Sequence, residues 1–213
     1  MNTTTLDLDG PGLAFIAGLG RMFYIINPKD SSFATLEEVP DYIAQAIPFF
    51  LLSIALELVT YLVARRGEGL KDGPRWENRK YRLNDTVGSI GAGVFQQISR
   101  FFMYNILMST YLYVWNNWRV YSLDIANVST WIFGFLAVDF SYYWFHRAAH
   151  EVNIMWSAHV VHHSSEYYNQ STALRQSVLQ TYTSWIFYAP YALMLPPPMF
   201  VAHNQFNTLY QYW

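Results

Sequence analysis

The sequence contains no cysteine, which excludes disulfides, zinc–thiolate sites and iron–sulfur clusters. Charge is also scarce. Asp, Glu, Lys and Arg make up 13% of the chain, about half their share in a soluble domain. Hydrophobic residues reach 53% and aromatic ones 19%, leaving too little polar surface for solubility, so an integral membrane protein is expected. The net charge of −2 supplies no electrostatic footprint for nucleic acid. Several motifs are missing too. His150-Glu151 is followed by Val152, Asn153 and Ile154, so the zincin pattern H-E-x-x-H is absent. Neither a G-x-S-x-G elbow nor a phosphate loop occurs. The start, MNTTTLDLDGPG, has no basic stretch leading into an apolar core. No cleavable signal peptide is therefore expected, and insertion should rest on an internal span. A length of 213 residues allows one domain.

What the chain does have is histidine, concentrated in one place. His146, His150, His159, His162 and His163 fall within HRAAHEVNIMWSAHVVHH, and only His203 lies elsewhere. The spacings are HxxxH and HxxHH. Positions three and four apart share a helical face, so each group can aim its rings at one point. Neutral imidazole suits iron, copper, zinc and nickel. Five converging rings exceed the three or four protein ligands of an ordinary zinc site, which points to two metals rather than one.

The apolar segments frame this stretch. Residues 1–41 carry six acidic and two basic side chains, with a short apolar piece, Leu13–Ile26, expected to be interfacial or re-entrant. Residues 42–64 are long and apolar enough for a first span, with Pro48 near its start and Glu57 its one charge. The loop 65–82 holds seven of the thirteen Lys and Arg residues, which places it in the cytoplasm by the positive-inside rule. Residues 86–115 are apolar but interrupted by Gln96, Gln97 and Arg100. They read equally as one long tilted helix or as a surface helix feeding a span. The connector 116–128 contains the sequon Asn127-Val128-Ser129. Residues 129–145 form a third span that delivers His146 to the basic-loop side. A fourth segment, 178–195, ends at Pro196-Pro197-Pro198, and 199–213 returns toward the cytoplasm with His203 on the way. The fold class expected is all-α: a polytopic membrane helical bundle with a cytoplasm-facing, histidine-rich metal site. Its parts are an N-terminal segment (1–41), a transmembrane part with the basic loop (42–128) and a metal-binding part (129–213).

Asp139, Tyr143, His146 and His150 recur at helical spacing. Asp139 either orients a metal-binding histidine from behind or ties two helices together. Glu151 is a weaker candidate for the same outer role, against a plain helix-terminal glutamate. Arg175 either meets a polar headgroup or cofactor or acts as an interfacial anchor. A redox-active metal above an apolar bundle suggests oxidation of a membrane-dissolved substrate by O₂.

The run DFSYYWFHRAAHEVNIMWSAHVVHHSSEYYNQSTALRQS closely resembles the fatty acid hydroxylase/sterol desaturase superfamily. Within it the HRxxHE box, the HxxHHSSE box and the NxSTALRQS tail match the branch that acts on alkylglycerol ether lipids, and the likeness extends over most of the chain. The resemblance implies a non-haem monooxygenase of the endoplasmic reticulum membrane with two iron ions, using O₂ and tetrahydrobiopterin to hydroxylate the ether-linked carbon. His146, His150, His159, His162 and His163 would then be iron ligands, with His203 a further match. The family's last histidine boxes fall beyond Trp213, so a truncated chain with an incomplete ligand set is expected, and a non-catalytic partner of a longer form is the second reading. A metal-transport or storage protein is the third, disfavoured because these ligands sit at one membrane face. The sequence leaves the oligomeric state open, a homo-oligomer included.

Overall fold

The computed structural model describes residues 11–67 and 81–213, which are helical throughout apart from turns and connectors. Most of the basic loop expected at 65–82 lies outside the described residues. Helix α1, Pro11–Arg21, opens on a proline, whose missing N–H costs nothing in a first turn. It ends in a turn where Tyr24 takes a left-handed φ of 60°. That conformation is disfavoured for a bulky side chain. Here it is held by packing: the Tyr24 ring lies edge-on to Phe135, Trp131 and Phe206, and its hydroxyl hydrogen-bonds His203 Nδ1 at 2.7 Å.

Helix α2, Tyr42–Gly67, keeps Pro48 in its second turn. Among the described residues it holds the one stretch, Tyr42–Ala64, long and apolar enough to cross a membrane, and only 17% of its most apolar window is buried. That exposure is opposite to what a soluble core helix shows. Helix α3, Leu83–Trp118, settles the reading left open above: it is one continuous helix, about 54 Å long at 1.5 Å per residue. Helix α4, Val128–Glu151, is capped by Asn127, whose side chain accepts from Ser129 N–H at 2.9 Å. After it come α5 (Asn153–His163), a strap containing the 3-10 turn Gln170–Leu174, α6 (Gln180–Tyr188) running into the 3-10 turn Ala189–Leu193, and α7 (Pro197–Tyr210).

The fourth apolar segment departs from expectation. In place of a span over 178–195 stands a nine-residue helix followed by a tighter turn. Pro190 sits at the junction and removes a backbone donor there. Further on, the carbonyls of Leu193 and Met194, four residues before Pro197 and Pro198 and so without a helical donor, are used by the α3–α4 connector: Leu193 O accepts from Val120 and Tyr121 N–H, and Met194 O from Leu123 N–H. The triple proline starts a helix as well as ending a segment. Pro196 is the N-cap of α7, and Pro197 and Pro198 fill its first turn.

Helix α7 is the hub. Met199, Phe200 and Val201 join one apolar cluster with Tyr111 and Val138, whereas Ala202, Phe206 and Leu209 join another with Met22 and Tyr42. Its crossing with α4 is tight at Gly134, where an added Cβ would lie 2.6 Å from His203 Cδ2 and 3.2 Å from Met199 Cγ. Both neighbours belong to a wholly buried helix face, so neither can swing aside. Gly134→Ala should destabilise the fold by about 1–3 kcal/mol through overpacking. Gly91→Ala, at a helical position with nothing within 4 Å, should be neutral or stabilising by up to about 1 kcal/mol. Thermal unfolding of the two variants in detergent checks this, with a lowered Tm expected for Gly134→Ala alone.

Candidate metal centre

The centre is built from a helical hairpin. His146 and His150 lie one turn apart near the end of α4, and His159 and His163 one turn apart near the end of α5. The break between the helices is a single residue. Val152 is at once the C-cap of α4 and the N-cap of α5, with extended dihedrals of −104° and 117°. A β-branched residue favours that region over the helical one. One extended residue folds the second helix back, so that each i,i+4 pair of rings meets the other.

His146 Nε2 lies 3.0 Å from His150 Nε2, and His159 Nε2 lies 3.2 Å from His163 Nε2. One ligand atom from each of these four residues falls within 4.8 Å of all the others. Nitrogens around a four-coordinate ion stand about 3.3 Å apart when each bond is roughly 2.0–2.1 Å. The donor set therefore fits a single transition-metal ion of the kind imidazole prefers. The rings are also held ready for it. Burial, reinforced by the neighbouring histidines, pushes His146 down to about 4. Burial likewise lowers His159, His162 and His163. Near neutral pH their lone pairs are free.

Each ring also needs a place for its remaining proton, since only one nitrogen of a neutral imidazole carries hydrogen. His159 Nδ1 donates to Gln180 Oε1 at 3.1 Å. His162 Nδ1 donates to the carbonyl of Arg175 at 3.0 Å. His146 Nδ1 shares a hydrogen bond of 3.1 Å with the Tyr142 hydroxyl. Such outer partners fix which nitrogen faces inward. His150 and His163 are exposed, and the Trp156 ring borders both, at 5.5 and 5.6 Å between centroids. The centre is walled by α4 and α5 on one side and open on the other.

Not every expected residue joins it. His162 stands beside the group, its ring 5.1 Å from that of His163 and 5.5 Å from that of His159. His203 is elsewhere. It is fully buried on α7 against Gly134, which is about 18 Å from His146 along α4 at 1.5 Å per residue. Its Nδ1 is engaged by Tyr24, and among the described residues its buried Nε2 has no hydrogen-bond partner. Asp139 accepts from Asn207 Nδ2 at 3.4 Å, the helix-to-helix tie weighed above, and among the described residues it reaches no histidine. Glu151 pairs with Arg147 at 2.9 Å. Arg175 pairs with Asp85 of α3 at 2.9 Å. Glu57, the charge in α2, accepts from Gln170 N–H at 2.9 Å and so ties that helix to the strap.

Three partners went unseen in the sequence. Tyr142, not Tyr143, backs His146, and its signal was available, four residues before the histidine. Tyr143 turns instead toward Arg147. Trp156 also had a local signal, three residues before His159 on α5, whereas Gln180 had none, because it meets the centre through tertiary folding.

Comparison with known proteins places this geometry. Residues 131–213 match the fatty acid hydroxylase family model. The chain is 51% identical to human alkylglycerol monooxygenase over 196 residues, covering 92% of this chain and 42% of that protein. Identity to the zebrafish alkylglycerol monooxygenase is 47%, with the same coverage. To the Caenorhabditis elegans enzyme of the same name it is 34% over 197 residues, 92% of this chain and 37% of that one. The chain thus spans about two-fifths of the length of these curated relatives. No solved structure matches it. Over residues 131–213 the chain is thus similar to the fatty acid hydroxylase family, and over 92% of its length to the alkylglycerol monooxygenases.

Proposed function

We propose that this chain carries the first half of the metal centre of a membrane ether-lipid monooxygenase. The observation that bears most weight is the convergence of His146, His150, His159 and His163 on one point, in a chain about half identical to alkylglycerol monooxygenase. In this reading the four histidines, with His162 beside them, hold non-haem iron. The family's complete site would hold two ions. Bound iron supplies the activation of O₂, with tetrahydrobiopterin as the source of two electrons. The reaction these groups would support is hydroxylation of the carbon beside the ether oxygen, with the second oxygen atom released as water and the hemiacetal product giving a fatty aldehyde and a glycerol derivative. The membrane is that of the endoplasmic reticulum, crossed more than once, with the centre on the cytoplasmic side.

The chain's own residues have narrower tasks. Gln180 Oε1 and the Arg175 carbonyl accept from Nδ1 of His159 and His162 and leave their Nε2 lone pairs bare, while the Tyr142 hydroxyl holds the His146 ring at Nδ1. Burial keeps those rings unprotonated. The exposed apolar flank of α2, with Leu51, Leu52, Leu56, Val59 and Val63, and that of α4, with Ile132, Leu136 and Phe140, face lipid. The open side of the centre, between His150, His163 and Trp156, admits the polar end of an alkylglycerol whose chain stays in the bilayer.

The first experiment is metal content per chain after anaerobic loading with Fe(II) in mild detergent, followed by assay for fatty aldehyde from an alkylglycerol with O₂ and tetrahydrobiopterin. Bound iron is expected, aldehyde release would show that this half of the centre suffices for turnover, and a protein that retains no metal would overturn the reading. Among variants, His150→Ala or His163→Ala should weaken metal binding at least tenfold. His203→Gln, which keeps a polar partner for Tyr24, should leave metal content unchanged. If His203→Gln abolishes binding, His203 is a ligand after all.

Acid should act on the centre with a definite sign. Histidine titrates near 6.5 when unfolded, and the folded rings titrate lower. Between those values the unfolded chain binds more protons, so stability rises with pH there. This contribution is complete above about pH 6.5 and is lost as pH falls toward 4. Metal affinity follows the same course, because protons compete for the same nitrogens. Metal retention and unfolding midpoints measured between pH 7 and 4 should decline together; retention that is flat across this range would contradict the assignment.

A further inference from the structure

The sequence leaves Arg175 as a headgroup or cofactor contact or as an interfacial anchor; in the fold its side chain is engaged by other residues of the chain. Its Nη1 donates to Asp85 Oδ1 at 2.9 Å and its Nε to Ser164 Oγ at 3.1 Å. The Arg175 and Asp85 side chains are only 20% and 9% exposed, so this pair is shielded, unlike an ordinary surface ion pair. Asp85, in the first turn of α3, also accepts from Ser165 Oγ at 2.6 Å and from Tyr167 N–H at 3.2 Å. One carboxylate thereby grips both ends of the strap from Ser164 to Arg175.

The strap is pressed onto α3 along its length. Asn169 Nδ2 donates to Thr86 Oγ1 at 3.3 Å, and Asn169 and Thr172 form a reciprocal capping box around the 3-10 turn. Gly93 allows closer approach still, since a Cβ there would stand 2.6 Å from the Leu174 carbonyl oxygen. The next residue is Arg175, whose carbonyl receives the Nδ1 hydrogen of His162. A carbonyl can only accept, so this contact fixes the tautomer of His162 and leaves Nε2 as its free lone pair. The Gln176 amide nitrogen reaches the same Nδ1 at the longer distance of 3.3 Å.

We infer that Asp85 is a positioning residue for His162: through Arg175 and the strap it sets the carbonyl that holds the His162 proton on Nδ1 and its Nε2 bare. This rests on the reading of the histidines as a metal centre only for its purpose, and its geometry is independent of that reading. Asp85 touches no histidine. It acts across a chain separation of 90 residues to Arg175, which makes α3 part of the centre although no ligand lies on it.

The test uses the full chain in detergent, with histidine labelled in its ring nitrogens and Co(II) as the metal probe. In the metal-free protein, the nitrogen resonances of His162 should report the Nδ1-protonated tautomer. In Asp85→Asn they should shift toward a mixture with the Nε2-protonated form while those of His146 stay in place. Arg175→Lys, which keeps the charge but loses the fork that joins Asp85 to Ser164, should shift them the same way. Co(II) should bind Asp85→Asn at least tenfold more weakly and with altered visible bands. In a His162→Ala background, Asp85→Asn should weaken cobalt binding no further. An unchanged His162 tautomer in both variants overturns the inference, as does equal weakening with and without His162, which would mark Asp85 as a purely structural residue. If the unaltered protein binds no cobalt while the tautomer still responds to Asp85, the metal reading fails and the positioning role stands.

Discussion

Four imidazole nitrogens can be gathered at one point only if their protons are placed somewhere else. That constraint organises the half of this protein that follows α3. Four such nitrogens lie within 4.8 Å of one another, and burial, with the neighbouring histidines, holds His146 well below the usual imidazole range. Three of the histidines, His146, His162 and His159, have a partner behind them, and these partners come from three different places: Tyr142 on α4, the strap carbonyl at Arg175, and Gln180 at the start of α6. The hairpin supplies the donors, and the rest of the fold supplies their backing. This division explains why α6 and the strap return to the hairpin although neither carries a metal-ligand candidate.

The sequence disclosed the donors well and the backing poorly, for a physical reason. Histidines four apart on a helix share a face whatever the tertiary structure, so the 146/150 and 159/163 pairs were legible from spacing alone. So was Tyr142 in principle, because it sits one turn before His146. Gln180 is 21 residues from His159, and Asp85 is 90 from Arg175, separations at which no periodicity operates. The same limit applies to His203, whose surroundings are set by Tyr24, 179 residues earlier. At the level of fold, helices with a simple cause, such as α2 and α4, matched their apolar runs closely. The segment 178–195 did not, because Pro190 and the demands of the α3–α4 connector decided its shape.

Charge follows the same pattern of use. In the fold three carboxylates hold elements together: Asp139 joins α4 to α7, Glu57 joins α2 to the strap, and Asp85 joins the strap to α3. A low-charge chain can place few ions in its interior, and each is therefore spent on a long-range contact that apolar packing could not specify in register. Helix α7 complements them. Buried along nearly its whole length, it divides two apolar clusters and fixes the distance between α2 and α4.

The turn at Val152 also bears on how this region can change over time. Because one extended residue carries the whole reversal, the length of chain from Glu151 to His159 is geared to the direction in which the second pair of rings points. Each residue added or removed within α5 ahead of His159 would rotate that pair by about 100° around the helix axis, swinging both rings away from His146 and His150. Substitutions between the two boxes can be absorbed one side chain at a time, whereas a single-residue insertion or deletion there cannot. The spacer is as much a part of the centre as the histidines, and lineages that keep the centre should vary its letters while leaving its length untouched.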